Sequence, residues 1–167
     1  MHFREIPIED RLEYRDLLLL ADEQMDMVER YLFRGTMFVL FDAGDPEARG
    51  SILVTDEGAG VFEIKNLAVR QDVQRQGYGI ALVRHVIEHV RAQARTLLVG
   101  TGESPATLGF YQHCGFVRSH VIKNFFTDNY DHPIIEEGRQ LVDMICLAMD
   151  LASSLSGADR SRQNRAG

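Results

Sequence analysis

A chain of 167 residues in which 45% are apolar and 26% charged has the composition of one folded globular domain, long enough to bury a full core without disulfides or metal staples. A net charge of −7 removes the broad basic footprint that nucleic-acid binding requires, so a small ligand or a cationic substrate is the easier partner. No apolar run approaches the roughly 18 residues of a membrane span, and the charged amino terminus MHFREIPIED lacks an apolar signal core, so a cytoplasmic protein without a membrane partner is expected.

His2 to Ile6 alternates weakly and reads as an opening strand. Between Ile8 and Leu32 the residues Leu17, Leu18, Ala21, Met25, Val28 and Leu32 recur at helical spacing, which predicts one helix broken into two. The period then changes. Met37 to Phe41 and Ser51 to Thr55 are β-rich runs joined by the turn cluster Ala43-Gly44-Asp45-Pro46, and Gly58-Ala59-Gly60 leads into a third strand, Val61 to Val69. Ile80, Val83, Val86, Ile87 and Val90 share one helical face, predicting a helix to about Ala94, and Thr96 to Val99 is again a strand. Strand, crossover helix and strand form a βαβ unit with parallel strands.

Ser104 and Pro105 read as an N-cap followed by proline in the first helical turn, opening a helix that runs to about His113 and is ended by Gly115. Phe116 to Phe126 and Leu141 to Leu151 are predicted as two further strands joined by a long polar loop, Thr127 to Arg139. The second is expected at a sheet edge, where it could pair across a homodimer. Residues 153–167 carry almost no apolar content and are expected to form a flexible tail, leaving residues 1–152 as the domain.

The stretch Gln74-Arg75-Gln76-Gly77-Tyr78-Gly79 lies where the first strand of the βαβ unit hands over to its helix. There free N–H groups and the positive end of the helix dipole favour an anion. Two glycines one residue apart allow main-chain amides to approach a pyrophosphate, although a glycine turn kept for packing explains an isolated pair equally well. The dinucleotide-binding fingerprint fails because Leu82 stands where a third glycine is needed, and no Gly-Lys-Ser/Thr of a P-loop follows.

The loop does resemble the acetyl-coenzyme A loop of the GNAT superfamily of N-acetyltransferases. Phe110-Tyr111-Gln112-His113-Cys114-Gly115-Phe116 is similar to a second signature of that family, and the order of elements agrees from about His2 to Leu151. The resemblance implies an α/β fold, a mixed twisted sheet of about six to seven strands with helices on both faces, and acetyl-CoA as cosubstrate without a metal. By resemblance, Leu67, Ala68 and Val69 would hydrogen-bond the pantetheine arm, with the amide near Val69 close to the thioester carbonyl. Gln74, Arg75, Gln76, Gly77, Tyr78, Gly79 and Ile80 would hold the pyrophosphate through main-chain amides. Ser104 stands where many members carry an asparagine that contacts the coenzyme arm, so a side-chain contact there is open.

Acetyl transfer needs a deprotonated amine, a polarised thioester carbonyl and a proton for the departing thiolate. The family's tyrosine corresponds to Tyr111, a proton donor to the sulfur, and some members place a base where this chain has Glu63. A solvent-facing strand glutamate is the competing explanation of Glu63, since many members use water chains. Cys114, one turn from Tyr111, is read as a packed thiol rather than an acetyl carrier. Cys114 and Cys146 lie too far apart to suggest zinc or disulfide spacing.

His85-Val86-Ile87-Glu88-His89 matches an inverted zinc motif, but both histidines are expected on the exposed helix face without a third ligand. The segment Phe125 to Pro133, with Asp128 and Asp131, and the acidic group Asp22, Glu23, Asp26 and Glu29 could face a cationic amine or simply be solvated. The expected activity is acetyl transfer to a small-molecule or peptide amine in a ternary complex. The alternative is a non-catalytic module that binds or senses acetyl-CoA or CoA.

Overall fold

The computed structural model describes residues 1–152. Strand β1 is His2–Ile6, followed by a 3-10 segment, Ile8–Tyr14, and by helices α1, Arg15–Ala21, and α2, Met25–Leu32. Buried Arg11 ties the 3-10 segment down, donating to the carbonyls of Leu32 at 2.7 Å and Gly35 at 2.7 Å. The Leu32 carbonyl is one that the end of α2 leaves without an intrahelical partner. Strands β2 (Thr36–Phe41), β3 (Ala48–Gly58) and β4 (Val61–Val69) form an antiparallel meander with β1. Helix α3, Tyr78–Val90, crosses to β5, Thr96–Thr101, parallel to β4 as the βαβ pattern requires. Helix α4 is Pro105–His113, and β6 is Val117–Ile122.

The chain then departs from the expected strand Phe116 to Phe126. Asn124 adopts a left-handed φ of 57°, its N–H bonded to the Asp143 carboxylate at 2.9 Å, and Phe125–Asn129 coils into helix α5. A short hairpin, β7 (Ile135–Glu136) and β8 (Arg139–Gln140), occupies the rest of the long loop before β9, Met144–Asp150. The seven-stranded sheet runs β1-β2-β3-β4-β5-β9-β6. β9 is therefore not at an edge, as expected from sequence. It is inserted between β5 and β6 and paired on both sides, and among the described residues the edge at this end of the sheet belongs to β6, all of whose residues are exposed. Local pattern does not encode strand order, so an apolar run next to the last strand reads alike at an edge or inside. The tail expected over residues 153–167 lies outside the described residues.

Two cores clothe the sheet. On one face α3 buries Leu82, Val83, Val86 and Val90 against Phe38, Leu40, Ile52, Val54 and Leu97. On the other, α1 and α2 bury Leu18, Val28, Tyr31 and Leu32 against Met37, Val39, Phe41 and Leu53. Of the two histidines expected on the exposed helix face, His89 is exposed and His85 is not. The His85 ring is half-buried and stacked on Phe3 at 3.9 Å, and both imidazoles meet the edge of Phe38 at 4.4 and 5.0 Å. Burial lowers the His85 pKa, and nearby His89 adds to the shift.

One irregularity positions the site. In the β3–β4 pairing Leu53 faces Asn66 while Val54 faces Ile64, so Lys65 is an extra residue, a β-bulge that reverses the alternation of β4. Beyond it, Leu67 and Val69 turn toward the α3 face, and Asn66 turns to the α1–α2 face, donating to the Leu18 carbonyl at 2.9 Å. The parallel pairing with β5 also stops there, spanning only Val61–Ile64 against Thr96–Val99. The sheet splits beyond that point, and Lys65–Val69 keeps β3 as its only strand partner.

Candidate active site

The split between β4 and β5 opens into a cavity of about 620 Å³. Leu67 and Val69 form one wall, the loop residues Gln74, Arg75, Gly77, Gly79 and Ile80 a second, and Ala106, Thr107, Phe110 and Tyr111 of α4 the third. Leu67 to Val69 is extended with one side free of strand pairing, and the first helical bond of α3 is Ala81 N–H to the Gly77 carbonyl at 3.1 Å. No side chain caps α3, so the amides ahead of Ala81 have no acceptor within their own helix.

The two glycines do different jobs. Gly77 takes a left-handed φ of 91°, with Arg75 at 63° before it. A side chain at Gly77 would meet no neighbour, so backbone conformation is what requires glycine there. Left-handed residues among right-handed ones turn successive N–H groups to one side, an anion-binding concavity. Gly79 has ordinary φ, but an added Cβ would stand 3.1 Å from two carbons of the Phe110 ring. Its missing side chain makes room for α4, so close approach of amides to a phosphate is only part of its explanation. Gln74 closes the loop by donating to the Val69 carbonyl at 3.1 Å.

Three of the residues named from sequence turn elsewhere. Ala68 is buried on the far face of β4 and Gln76 is exposed outside the cavity. The Tyr78 ring is buried, its hydroxyl donating to Asp42 at 2.5 Å, so only its amide is available to the loop. Ser104 occupies the N-cap position of α4 but makes no side-chain capping bond. Its buried hydroxyl instead accepts a long contact from Thr107 at 3.5 Å. Proline at the first helical position already lacks one N–H that a cap would satisfy.

Tyr111 is only 7% exposed, edge-on to Phe110 and Phe116, and its hydroxyl has no hydrogen-bond partner among the described residues. Burial pushes its pKa up, and the nearby Cys114 and Glu136 push it further. Cys114 is likewise raised by burial, which keeps it a thiol and weak as a nucleophile. Glu63 lies on the paired half of β4 and its carboxylate accepts from Lys65 at 2.9 Å. Lys65 is shared with Glu57, which also holds Arg34.

Sequence reasoning named Tyr111 and the Phe110 motif on α4 but not Ala106 and Thr107, which complete that wall of the cavity. Thr107 could have been found, because it lies four residues before Tyr111 on the same helix. The loop after β6 and the acidic group at the α1–α2 corner were both named from sequence, but not the contact between them. The loop after β6 is fastened to the α1–α2 corner by a buried network. Tyr130 donates to Asp22 at 2.5 Å, Tyr31 donates to the other oxygen of Asp22 at 3.0 Å, and Asn66 donates to the Tyr31 hydroxyl at 2.9 Å. Burial raises the Asp22 pKa while the two phenols pull it down. Asp131 offers its N–H to Gln24 at 3.0 Å and its carboxylate to His132 at 2.6 Å.

Residues 34–118 match the family model described as an acetyltransferase (GNAT) domain. A protein of Bacillus subtilis (strain 168) described as the uncharacterized N-acetyltransferase YvbK is 39% identical over 149 residues, 88% of this chain and 95% of the relative. The [ribosomal protein bS18]-alanine N-acetyltransferase of Escherichia coli (strain K12) is 32% identical over 111 residues, 64% of this chain and 70% of the relative. The crystal structure of a GNAT family acetyltransferase from Elizabethkingia anophelis with acetyl-CoA bound superposes with a TM-score of 0.82. It is 34% identical and covers 89% of this chain and 97% of that one.

Proposed function

The chain belongs to the GNAT acetyltransferases, acetyl-CoA-dependent acyltransferases, and we propose that it moves the acetyl group to a primary amine by direct attack in a ternary complex. The observation that carries the reading is the convergence of unpaired β4 backbone, the uncapped start of α3 and an unpartnered Tyr111 hydroxyl on one cavity. Leu67 to Val69 would take the pantetheine arm as a strand takes its neighbour, and the amides from Gln74 to Ile80 would take the pyrophosphate, with Arg75 adding charge. An amide near Val69 is placed to stabilise the oxyanion that forms on the thioester carbonyl.

Tyr111 is the proton donor to the leaving sulfur. Its raised pKa keeps the proton on the phenol until a thiolate, a far stronger base than a thioester, forms beside it. Glu63, engaged by Lys65, serves as a base only through an intervening water. Ser104 lies close to the coenzyme end of α4 without being required for binding.

The test is a melting curve with acetyl-CoA, with NADH as control. At about 100 times its dissociation constant the cosubstrate stabilises the native state by roughly 2.7 kcal/mol. A shift specific to acetyl-CoA and lost in Gly77→Val supports the cradle. No shift in the wild type overturns the reading.

A further inference from the structure

Asn66 is a polar core side chain that the mechanism above leaves without a task. It lies two residues beyond Ile64, the last residue of β4 paired with β5, and one residue before Leu67 in the cavity wall. Its main chain therefore belongs to the coenzyme side, while its side chain, 3% exposed, enters the opposite core beneath α1 and α2. There one nitrogen donates twice, to the Leu18 carbonyl at 2.9 Å and to the Tyr31 hydroxyl at 2.9 Å. A carbonyl only accepts, so the Leu18 contact fixes which way the amide is turned. That orientation leaves Oδ1 buried and without a donor among the described residues, which is unfavourable. A leucine of similar size would fill the space without that penalty, and the Leu18 carbonyl would keep the Asp22 N–H at 3.1 Å. Stability by itself does not require an asparagine here.

The bonds run outward from Asn66 in a fixed direction. The Tyr31 hydroxyl receives the amide N–H and gives its single proton to Asp22, just past the end of α1, at 3.0 Å. The other Asp22 oxygen receives the Tyr130 hydroxyl at 2.5 Å. A donor on β4 thus orients a hydroxyl of α2, which orients a carboxylate at the end of α1, which holds the loop after β6. Two further ties between the same loop and corner, Arg30 to Asn129 at 3.0 Å and the Asp131 N–H to Gln24 at 3.0 Å, are exposed. Tyr130 and Asp131 also line a second cavity, of about 310 Å³, together with Phe126 and Leu141. Leu141 packs so closely on Gly102 that an added Cβ would stand 2.3 Å from it, so the second cavity adjoins the segment leading into α4.

Resting on the acetyl-transfer reading, we propose that Asn66 is a positioning residue for the acceptor amine. With the coenzyme in the cavity on the α3 face, the amine reaches the thioester at the β4–β5 split from the other face, which the α1–α2 corner borders at Asn66. Asn66 touches neither substrate. It acts through Tyr31 and Asp22 to hold the loop after β6, and with it the second cavity, in one place relative to the strand that carries the coenzyme. The unsatisfied Oδ1 is what this connection costs the core, because only an amide turned this way donates to Leu18 and Tyr31 together.

The experiment compares wild type, Asn66→Leu, Tyr31→Phe, Tyr130→Phe and the double variant Asn66→Leu with Tyr130→Phe. Steady-state kinetics use spermidine, lysine and an unblocked peptide as acceptors, and acetyl-CoA binding is followed separately. Asn66→Leu is expected to raise the amine KM about tenfold, with kcat and acetyl-CoA affinity within about twofold and the melting temperature equal or higher. Tyr31→Phe should show the same split, and it decides the question if Asn66→Leu does not fold. The double variant should stay within about twofold of the poorer single variant, because both changes act through one network. An amine KM within about twofold of wild type in either variant that folds overturns the proposal while the transferase reading stands. A parallel loss of amine and acetyl-CoA affinity with a lowered melting temperature assigns Asn66 to stability alone and also overturns it, as do effects of Asn66→Leu and Tyr130→Phe that multiply in full. A wild type that binds acetyl-CoA but acetylates none of the three acceptors removes the primary-amine reading, and this proposal with it.

Discussion

The two ends of the cleft are built from different materials. The proposed coenzyme end is main chain: an extended strand released from its neighbour by the Lys65 bulge, and a loop in which Arg75 and Gly77 are left-handed. The proposed acceptor end, at the α1–α2 corner, is side chain, with Asp22, Tyr31, Asn66 and Tyr130 brought together across 108 positions of sequence between its outermost members. Backbone recognition tolerates wide variation in side chains, while side-chain recognition changes with single substitutions. A fold that keeps the first and varies the second can hold one cosubstrate and exchange acceptors.

Substitutions at the two ends should therefore separate. The largest effect is expected at their junction. Tyr111→Phe removes only the hydroxyl and should lower turnover about a hundredfold or more while acetyl-CoA affinity is unchanged, read from kcat against a binding titration. Equal turnover in that variant takes Tyr111 out of the mechanism. Next comes the coenzyme end alone. Gly77→Val forces a β-branched residue to a φ of 91°, so about 1–2 kcal/mol or more should be lost from stability and the KM for acetyl-CoA should rise, with the amine KM much less affected. A Gly77→Val protein that binds acetyl-CoA normally would show that the loop geometry is not part of the cradle.

At the acceptor end, Tyr130→Phe deletes the 2.5 Å bond to Asp22 but leaves the Tyr31 bond in place, costing about 1–2 kcal/mol. Faster amide exchange confined to the loop after β6, with the amine KM raised and the acetyl-CoA KM constant, is the expected pattern. Uniform loss of protection through the sheet would contradict the division into two ends. The smallest effect concerns pH. Burial raises the Asp22 pKa above its unfolded value near 4, so its contribution to stability is fully present below about pH 4 and is lost as pH rises through the native value. Asp22→Asn should flatten that part of a stability–pH curve, measured by denaturant unfolding, and an unchanged slope would assign it to other carboxylates.

How much of this was legible from sequence follows the same division. The βαβ unit, the glycine loop and the α4 start were readable because each is set by residues close in the chain: Val61 to Val69, Gln74 to Gly79, Ser104 and Pro105. The two glycines read alike in sequence, as room for amides to approach an anion or as packing, whereas Gly77 answers to its left-handed φ and Gly79 to the ring of Phe110 on another helix. The Ser104 cap was also misjudged, because an N-cap residue type need not use its hydroxyl when proline follows.

The amino-acid sequence by itself determined most of the local elements and the family, because turn chemistry, periodicity and a loop of alternating glycines act over a few residues. Only the tertiary structure decided the strand order that puts β9 inside the sheet, the bulge that splits β4 from β5, and the company of Glu136 and Asp22. Those depend on which distant surfaces bury one another, and the environment that sets a carboxylate's chemistry exists only after that burial is complete.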